Sequence, residues 1–127
     1  MNKKIKWGIV GLGRIAHKFA NDLKLVENAE LVAVASSDID RSKAFAQQHE
    51  VSNYYGNYDS LYKDKEVDVV YIATMHHTHA QESIAAMNHK KHVLCEKPVA
   101  VNSKDAKKMI EASQRNEVFF MDSFWSR

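Results

Sequence analysis

The sequence predicts an α/β fold, a single doubly wound domain built around a parallel sheet. Three observations predict it. Short apolar runs alternate with helix-period segments, as in successive βαβ units. The strand-like runs are continuous in small and β-branched residues, as strands buried on both faces must be. The first run also passes into a helix through a glycine turn, Gly11-Leu12-Gly13. At 127 residues the chain has room for one domain with a real core and little room for two.

The elements follow in order. Ile5 to Val10 is the first strand, and Arg14 to about Leu25 the first helix, with Ile15, Phe19 and Leu23 on one face. Glu30 to Ser36 is a second strand, after which Asp38 or Asp40 caps a helix running to about His49. Asn53 to Gly56 reads as a short third strand, followed by a helical turn or two from Tyr58 to Lys63. Val67 to Thr74 carries the strongest strand pattern in the chain. A helix from His79 to Asn88 and a strand from His92 to Cys95 come next. Ser103 is placed to cap another helix, with Ala106, Met109 and Ile110 facing inward, and Val118 to Phe124 closes as a strand.

Composition narrows the function. A net charge of +2, with no basic run or aromatic-interleaved patch, argues against a nucleic-acid partner. Lys90-Lys91 and Lys107-Lys108 read as solvated surface. The basic, briefly apolar N-terminus lacks the long apolar region and small-residue cleavage site of a signal peptide. No segment approaches the roughly 18–20 apolar residues that span a bilayer. A single cysteine excludes an intrachain disulfide and fits a reducing cytoplasm.

The glycine turn is the first chemical signal. Gly11-x-Gly13-x-x-Ala16 lies where the first strand meets the first helix. The first glycine permits the tight turn, the second lets backbone approach a pyrophosphate, and the small third residue lets helix and strand pack closely. N–H groups at the helix start and the helix dipole favour the phosphates' charge. The bland alternative is a tight turn with no ligand.

NAD-binding versions of this turn usually carry an acid at the tip of the second strand, about 20 residues on, for the ribose 2′-OH. Here Ser36-Ser37 occupy that tip, Asp38 comes late, and Arg41 and Lys43 follow. Hydroxyls and cations accept a 2′-phosphate that an aspartate would repel, which favours NADP and leaves NAD as the other candidate. The competing reading makes Ser36-Ser37-Asp38 helix-capping material only.

Two further segments leave strands at their carboxyl ends, where open α/β sheets bind ligands. One holds Thr74, Met75, His76, His77 and His79. Their spacing lacks the i, i+4 geometry of a helical histidine pair, so a place beside nicotinamide or substrate is preferred to a metal site. The other is Glu96-Lys97-Pro98, which contains the only proline in the chain. Lys97 reads either as a proton donor to a substrate oxygen or as part of a strand-ending charged pair.

Together, "GIVGLGRIA", "VAVASSDIDRSKAFA", "VDVVYIAT", "HHTHAQ", "HVLCEKPVAVN" and "FFMDSFWSR" resemble the Gfo/Idh/MocA oxidoreductases across nearly the whole chain. The form is most like the dimeric dihydrodiol dehydrogenase, or D-xylose 1-dehydrogenase, branch, which uses NADP. The resemblance implies a Rossmann fold with Gly11, Gly13, Arg14 and Ile15 at the pyrophosphate. It puts Ser36, Ser37 and Arg41 near the adenosine ribose, and Thr74, Met75, His76 and His79 along the nicotinamide. Glu96, Lys97 and Pro98 match the active-site motif, in which the lysine assists proton transfer.

The implied reaction moves a hydride between nicotinamide and a sugar or cyclic diol. Intact members are usually homo-oligomers with a C-terminal α+β substrate and dimerisation domain, which residues 1–127 do not include. The expectation is therefore a dinucleotide-binding part that is inactive alone. A stand-alone nucleotide-binding or sensing module is the alternative. Two local departures stand out: Lys90 occupies the position where the family commonly has glycine, and "MDS" replaces the commoner "MEA".

Overall fold

A computed structural model describes residues 4–74, 78–95 and 103–122. The elements are β1 (Ile5–Val10), α1 (Arg14–Leu23), β2 (Ala29–Ala35), α2 (Ile39–His49), β3 (Asn53–Tyr55), α3 (Tyr58–Tyr62), β4 (Val69–Ile72), α4 (His79–Asn88), β5 (His92–Cys95), α5 (Ser103–Asn116) and β6 (Phe120–Asp122). They form one parallel six-stranded sheet in the order β3-β2-β1-β4-β5-β6. This is the doubly wound arrangement the sequence predicts, with strand order reversing beside β1.

Period-two alternation sends strand side chains to opposite faces, giving two cores. On one face Ile9, Val34 and Tyr71 pack with Ala16 and Ala20 of α1 and Phe45 of α2. On the other, Val10, Ile72 and Val93 pack with Leu61 of α3, Met87 of α4 and Met109 of α5.

Several predicted boundaries and faces shift. The buried line of α1 is Ala16, Ala20 and Leu23, while Ile15 and Phe19 are half-buried. A helix springing from a tight turn lies close to its sheet, so alanines take the inner line. Phe19 lies flat on Tyr71 instead, ring centroids 3.8 Å apart. Leu25 is outside the helix and exposed. In α5, Met109 and Ala112 face inward and Ile110 is half-exposed, the i, i+3 pair winning over the expected neighbour. Ser103 is the first residue of α5, and β4 and β6 are shorter than their apolar runs.

The face covered by α1 and α2 is left open beyond β1. A cavity of about 840 Å³ lies there, lined by Trp7, Val69, Leu94, Phe119 and Met121 among others. It also takes in Lys91 and His92 at the start of β5, which puts it toward the amino ends of the strands, away from the glycine turn. No described helix is long and apolar enough to cross a membrane.

Candidate functional site

The glycine turn joins β1 to α1 at the carboxyl edge of the sheet. Gly11 has φ +87°, and a Cβ added there would stand 2.7 Å from the backbone of Ala73 and Thr74. Its N–H donates to the Ala35 carbonyl of β2 at 3.0 Å. Gly11 therefore knits the ends of three strands together, a conformation and a closeness that only glycine permits. At Gly13 an added Cβ would meet nothing within 4 Å. Its lack of a side chain serves no packing need among the described residues and leaves room in front of α1. Ala16 is fully buried in the core, as the close-packing position requires.

The start of α1 is built differently from the other helix starts. Gly13 offers no side-chain cap and the first turn holds no acid. The α2 start has the Asp38 cap and Asp40, and the α3 start the Asn57 cap and Asp59. Glu82 and Asp105 lie in the first turns of α4 and α5. Among the described helices, only α1 keeps its positive end without a carboxylate, and Arg14 adds a cation there. That is the electrostatic requirement for an anion at a helix start. The glycine cradle and this bare terminus fit the pyrophosphate of a dinucleotide.

The β2 end differs from expectation at one residue. Ser36 is buried, and its hydroxyl is used within the loop. It donates to the Asp38 carbonyl at 2.7 Å, accepts the Asp38 N–H at 3.2 Å and lies 2.8 Å from the Ser42 hydroxyl. Asp38 caps α2, accepting the N–H groups of Asp40 and Arg41 at 2.9 and 3.4 Å. The Ser36 and Asp38 side chains are thus engaged in building the loop. Ser37, Arg41 and Lys43 remain exposed at this edge. Burial pushes the Tyr58 phenol up, the Glu82 carboxylate adds to the effect and the Arg41 charge opposes it.

At the end of β4, His79 is buried rather than exposed, at 2% of its surface. Its Nε2 lies 2.7 Å from the Thr74 carbonyl oxygen. The Thr78 hydroxyl donates to that of Thr74 at 2.8 Å. His79 thus anchors the turn into α4, and Thr74 stays at the sheet edge beside Gly11. Met75, His76 and His77, and likewise Glu96, Lys97 and Pro98, lie outside the described residues. The strand that precedes Glu96 ends at Cys95, paired with Ile72 of β4, which pairs in turn with Val10 of β1. Among the described residues no three His, Cys, Asp or Glu side chains gather as metal ligands.

Sequence reasoning did not single out Ser42, whose hydroxyl helps close the β2–α2 loop, or the pairing of His17 with His49. His17 Nδ1 and His49 Nε2 are 2.8 Å apart, joining α1 to α2. Nothing in the local pattern marks Ser42, a serine in the body of a helix. The two histidines carry no spacing that marks them as partners.

Comparison with known proteins agrees with this geometry. The family model described as an oxidoreductase family with an NAD-binding Rossmann fold matches residues 5–124. The trans-1,2-dihydrobenzene-1,2-diol dehydrogenase of Danio rerio is 42% identical over 125 residues, covering 97% of this chain and 37% of the relative. A 3-ketoreductase from Actinomadura kijaniata, solved with NADP and TDP-benzene, superposes with a TM-score of 0.92 at 27% identity, over 96% of this chain and 38% of its own. The WlbA dehydrogenase from Chromobacterium violaceum, solved with NADH and UDP-GlcNAcA, gives 0.88 at 26% identity, over 94% and 35%. The chain thus spans well under half the length of the proteins it matches. With the glycine turn, the strand order and the family model in agreement over nearly its whole length, the chain belongs to the Gfo/Idh/MocA oxidoreductases, as their NAD(P)-binding Rossmann domain.

Proposed function

We propose that this chain is the dinucleotide-binding part of an NADP-preferring oxidoreductase. The enzyme moves a hydride between nicotinamide and the carbon bearing the hydroxyl or carbonyl of a sugar or cyclic diol. The carrying observation is the α1 start, which has a glycine cradle with open space at Gly13 and no carboxylate in its first turn. In this reading the N–H groups of Gly13, Arg14 and Ile15 take the pyrophosphate. Ser37 and Arg41 meet the ribose 2′-phosphate, and the segment from Thr74 to His76 borders the nicotinamide.

When bound, the nicotinamide supplies the two-electron chemistry. As the alcohol is oxidised its carbon gives up a hydride, and Lys97 takes the hydroxyl proton as a neutral amine. In reduction Lys97 returns that proton to the carbonyl oxygen. Its role rests on the family resemblance and on its place two residues past the end of β5. The Danio rerio relative, named for a dihydrodiol, and the neighbour named a 3-ketoreductase support a carbon that passes between hydroxyl and carbonyl.

The substrate and dimerisation domain belongs, in this proposal, to sequence outside these 127 residues, and the whole enzyme is a cytoplasmic homo-oligomer. The open apolar sheet face over β4 to β6 supports a packing partner there. Calorimetric titration of the chain with NADP and NAD tests the cofactor assignment. NADP should bind more tightly, and Arg41→Ala should weaken it about tenfold or more, the size of a charge-assisted contact, while leaving NAD nearly unchanged. Tighter binding of NAD by the unmutated chain would overturn the NADP preference. Robust turnover of an aldose or diol by these 127 residues alone would overturn the divided active site.

A further inference from the structure

We infer that Ser42 is a positioning residue for the adenosine ribose, acting through Ser36 on the loop that presents Ser37 and Arg41. This deepens the dinucleotide reading above and rests on it.

Hydroxyl capacity fixes the direction of each bond. A serine hydroxyl has one proton and two lone pairs. The Ser36 proton goes to the Asp38 carbonyl at 2.7 Å, and one lone pair takes the Asp38 N–H at 3.2 Å. The contact with Ser42 at 2.8 Å must then use the second lone pair, so Ser42 is the donor. Ser42 Oγ also lies 3.3 Å from the Asp38 carbonyl, but its single proton follows the shorter contact. Ser36 is thereby saturated and has nothing left to offer a ligand.

What this closed network does is hold its neighbours. Ser37 sits between two residues locked by the Ser36 hydroxyl. Arg41 directly precedes Ser42, and its N–H is held by the Asp38 carboxylate. Both Ser37 and Arg41 are exposed, whereas Ser42 is completely buried and Ser36 nearly so. A buried polar pair of this kind is costly to leave half-satisfied. Without the Ser42 hydroxyl, Ser36 keeps an unused lone pair, a void opens beneath the loop, and the exposed residues lose their fixed placement. The glycine turn lies on a separate loop, bonded to β2 at the Ala35 carbonyl rather than to Ser36 or Ser42.

The test is the ratio of NAD to NADP dissociation constants, measured by calorimetry on the chain and on Ser42→Ala, Ser36→Ala and the double variant. Ser42→Ala should shift that ratio by about threefold to tenfold, the range of one neutral hydrogen bond, and Ser36→Ala at least as far, since it also removes both contacts to Asp38. The double variant should lose no more than Ser36→Ala alone, which already removes the bond to Ser42 along with both contacts to Asp38. Equal weakening of NAD and NADP, an unchanged ratio, or additive losses would each overturn the inference. If Ser42→Ala fails to fold, Ser36→Ala reads the network from its other end, removing that bond together with both contacts to Asp38. A preference of the unmutated chain for NAD refutes only the NADP assignment, since Ser42 is still judged by whether the ratio moves. If the unmutated chain binds neither dinucleotide, both readings fall.

Discussion

Gly11 and Ala73 meet where β1 and β4 leave the sheet, with the carbonyl carbon and oxygen of Ala73 each 2.7 Å from where a Gly11 Cβ would be. Two strands and a helix start depend on that approach. Gly13, two residues on, has open space around it and an extended φ of −89° that any residue adopts. The two glycines thus have separable roles. Gly11→Ala should destabilise the fold by about 2 kcal/mol or more through positive φ and backbone clash. Gly13→Ala should stay within about 0.5 kcal/mol of the unmutated stability, yet weaken dinucleotide binding about tenfold or more by blocking the pyrophosphate's approach. Urea denaturation and calorimetric titration of both variants check this. Equal effects of the two substitutions on stability would refute the division of roles.

The doubly wound fold class and the glycine turn were legible because both rest on local pattern, namely apolar runs alternating with helix-period segments and glycine at a strand–helix junction. The helix faces were less so. The pattern of apolar residues favoured Ile15 and Phe19 over Ala16 and Ala20, because hydrophobicity says nothing about how closely a helix must approach its sheet. At the site, residue type pointed to the loop after β2 but could not tell which hydroxyl faces outward. Ser36 and Ser37 are adjacent and identical, and the one turned inward is decided by Ser42, a contact made only once α2 has formed. His79 shows the same limit, since a histidine in a polar run gives no sign that its ring will be buried against the Thr74 carbonyl.

Lys90, where the family commonly has glycine, adopts φ +66°. The N–H of Lys90 donates to the Met87 carbonyl at 2.9 Å and that of Lys91 to the Ala86 carbonyl at 3.2 Å, the paired bonds of a Schellman cap. The cap therefore forms with a residue that is strained in it, and glycine relieves that strain. Lys90→Gly should stabilise the domain by about 0.5–1 kcal/mol, left-handed strain outweighing the added chain entropy. Its exposed Nζ contact with Asn116, at 3.1 Å, contributes little against this. Thermal unfolding should show the midpoint rising by a few degrees. A lower midpoint would mean that the Asn116 contact matters more than the strain.

His49 should make the fold sensitive to mild acid. Its ring is buried at the end of α2, with Nε2 against Nδ1 of His17 and Nδ1 without a hydrogen-bond partner among the described residues. Phe45 packs against both rings, with centroids 4.4 Å from His17 and 4.5 Å from His49. Burial pushes the His49 imidazolium pKa below its usual 6.5, and His17 and Lys24 push it the same way. As pH falls below 6.5, the unfolded chain binds a proton at this position before the folded chain does, and unfolding is favoured. The contribution of neutral His49 is thus complete above the unfolded value and lost as pH falls toward the lower folded one. His49→Gln removes this titration while keeping a polar partner for His17. Urea midpoints measured from about pH 8 to about pH 5.5 should fall less steeply for the variant than for the unmutated chain. Parallel curves would show that burial at this position does not control the acid response.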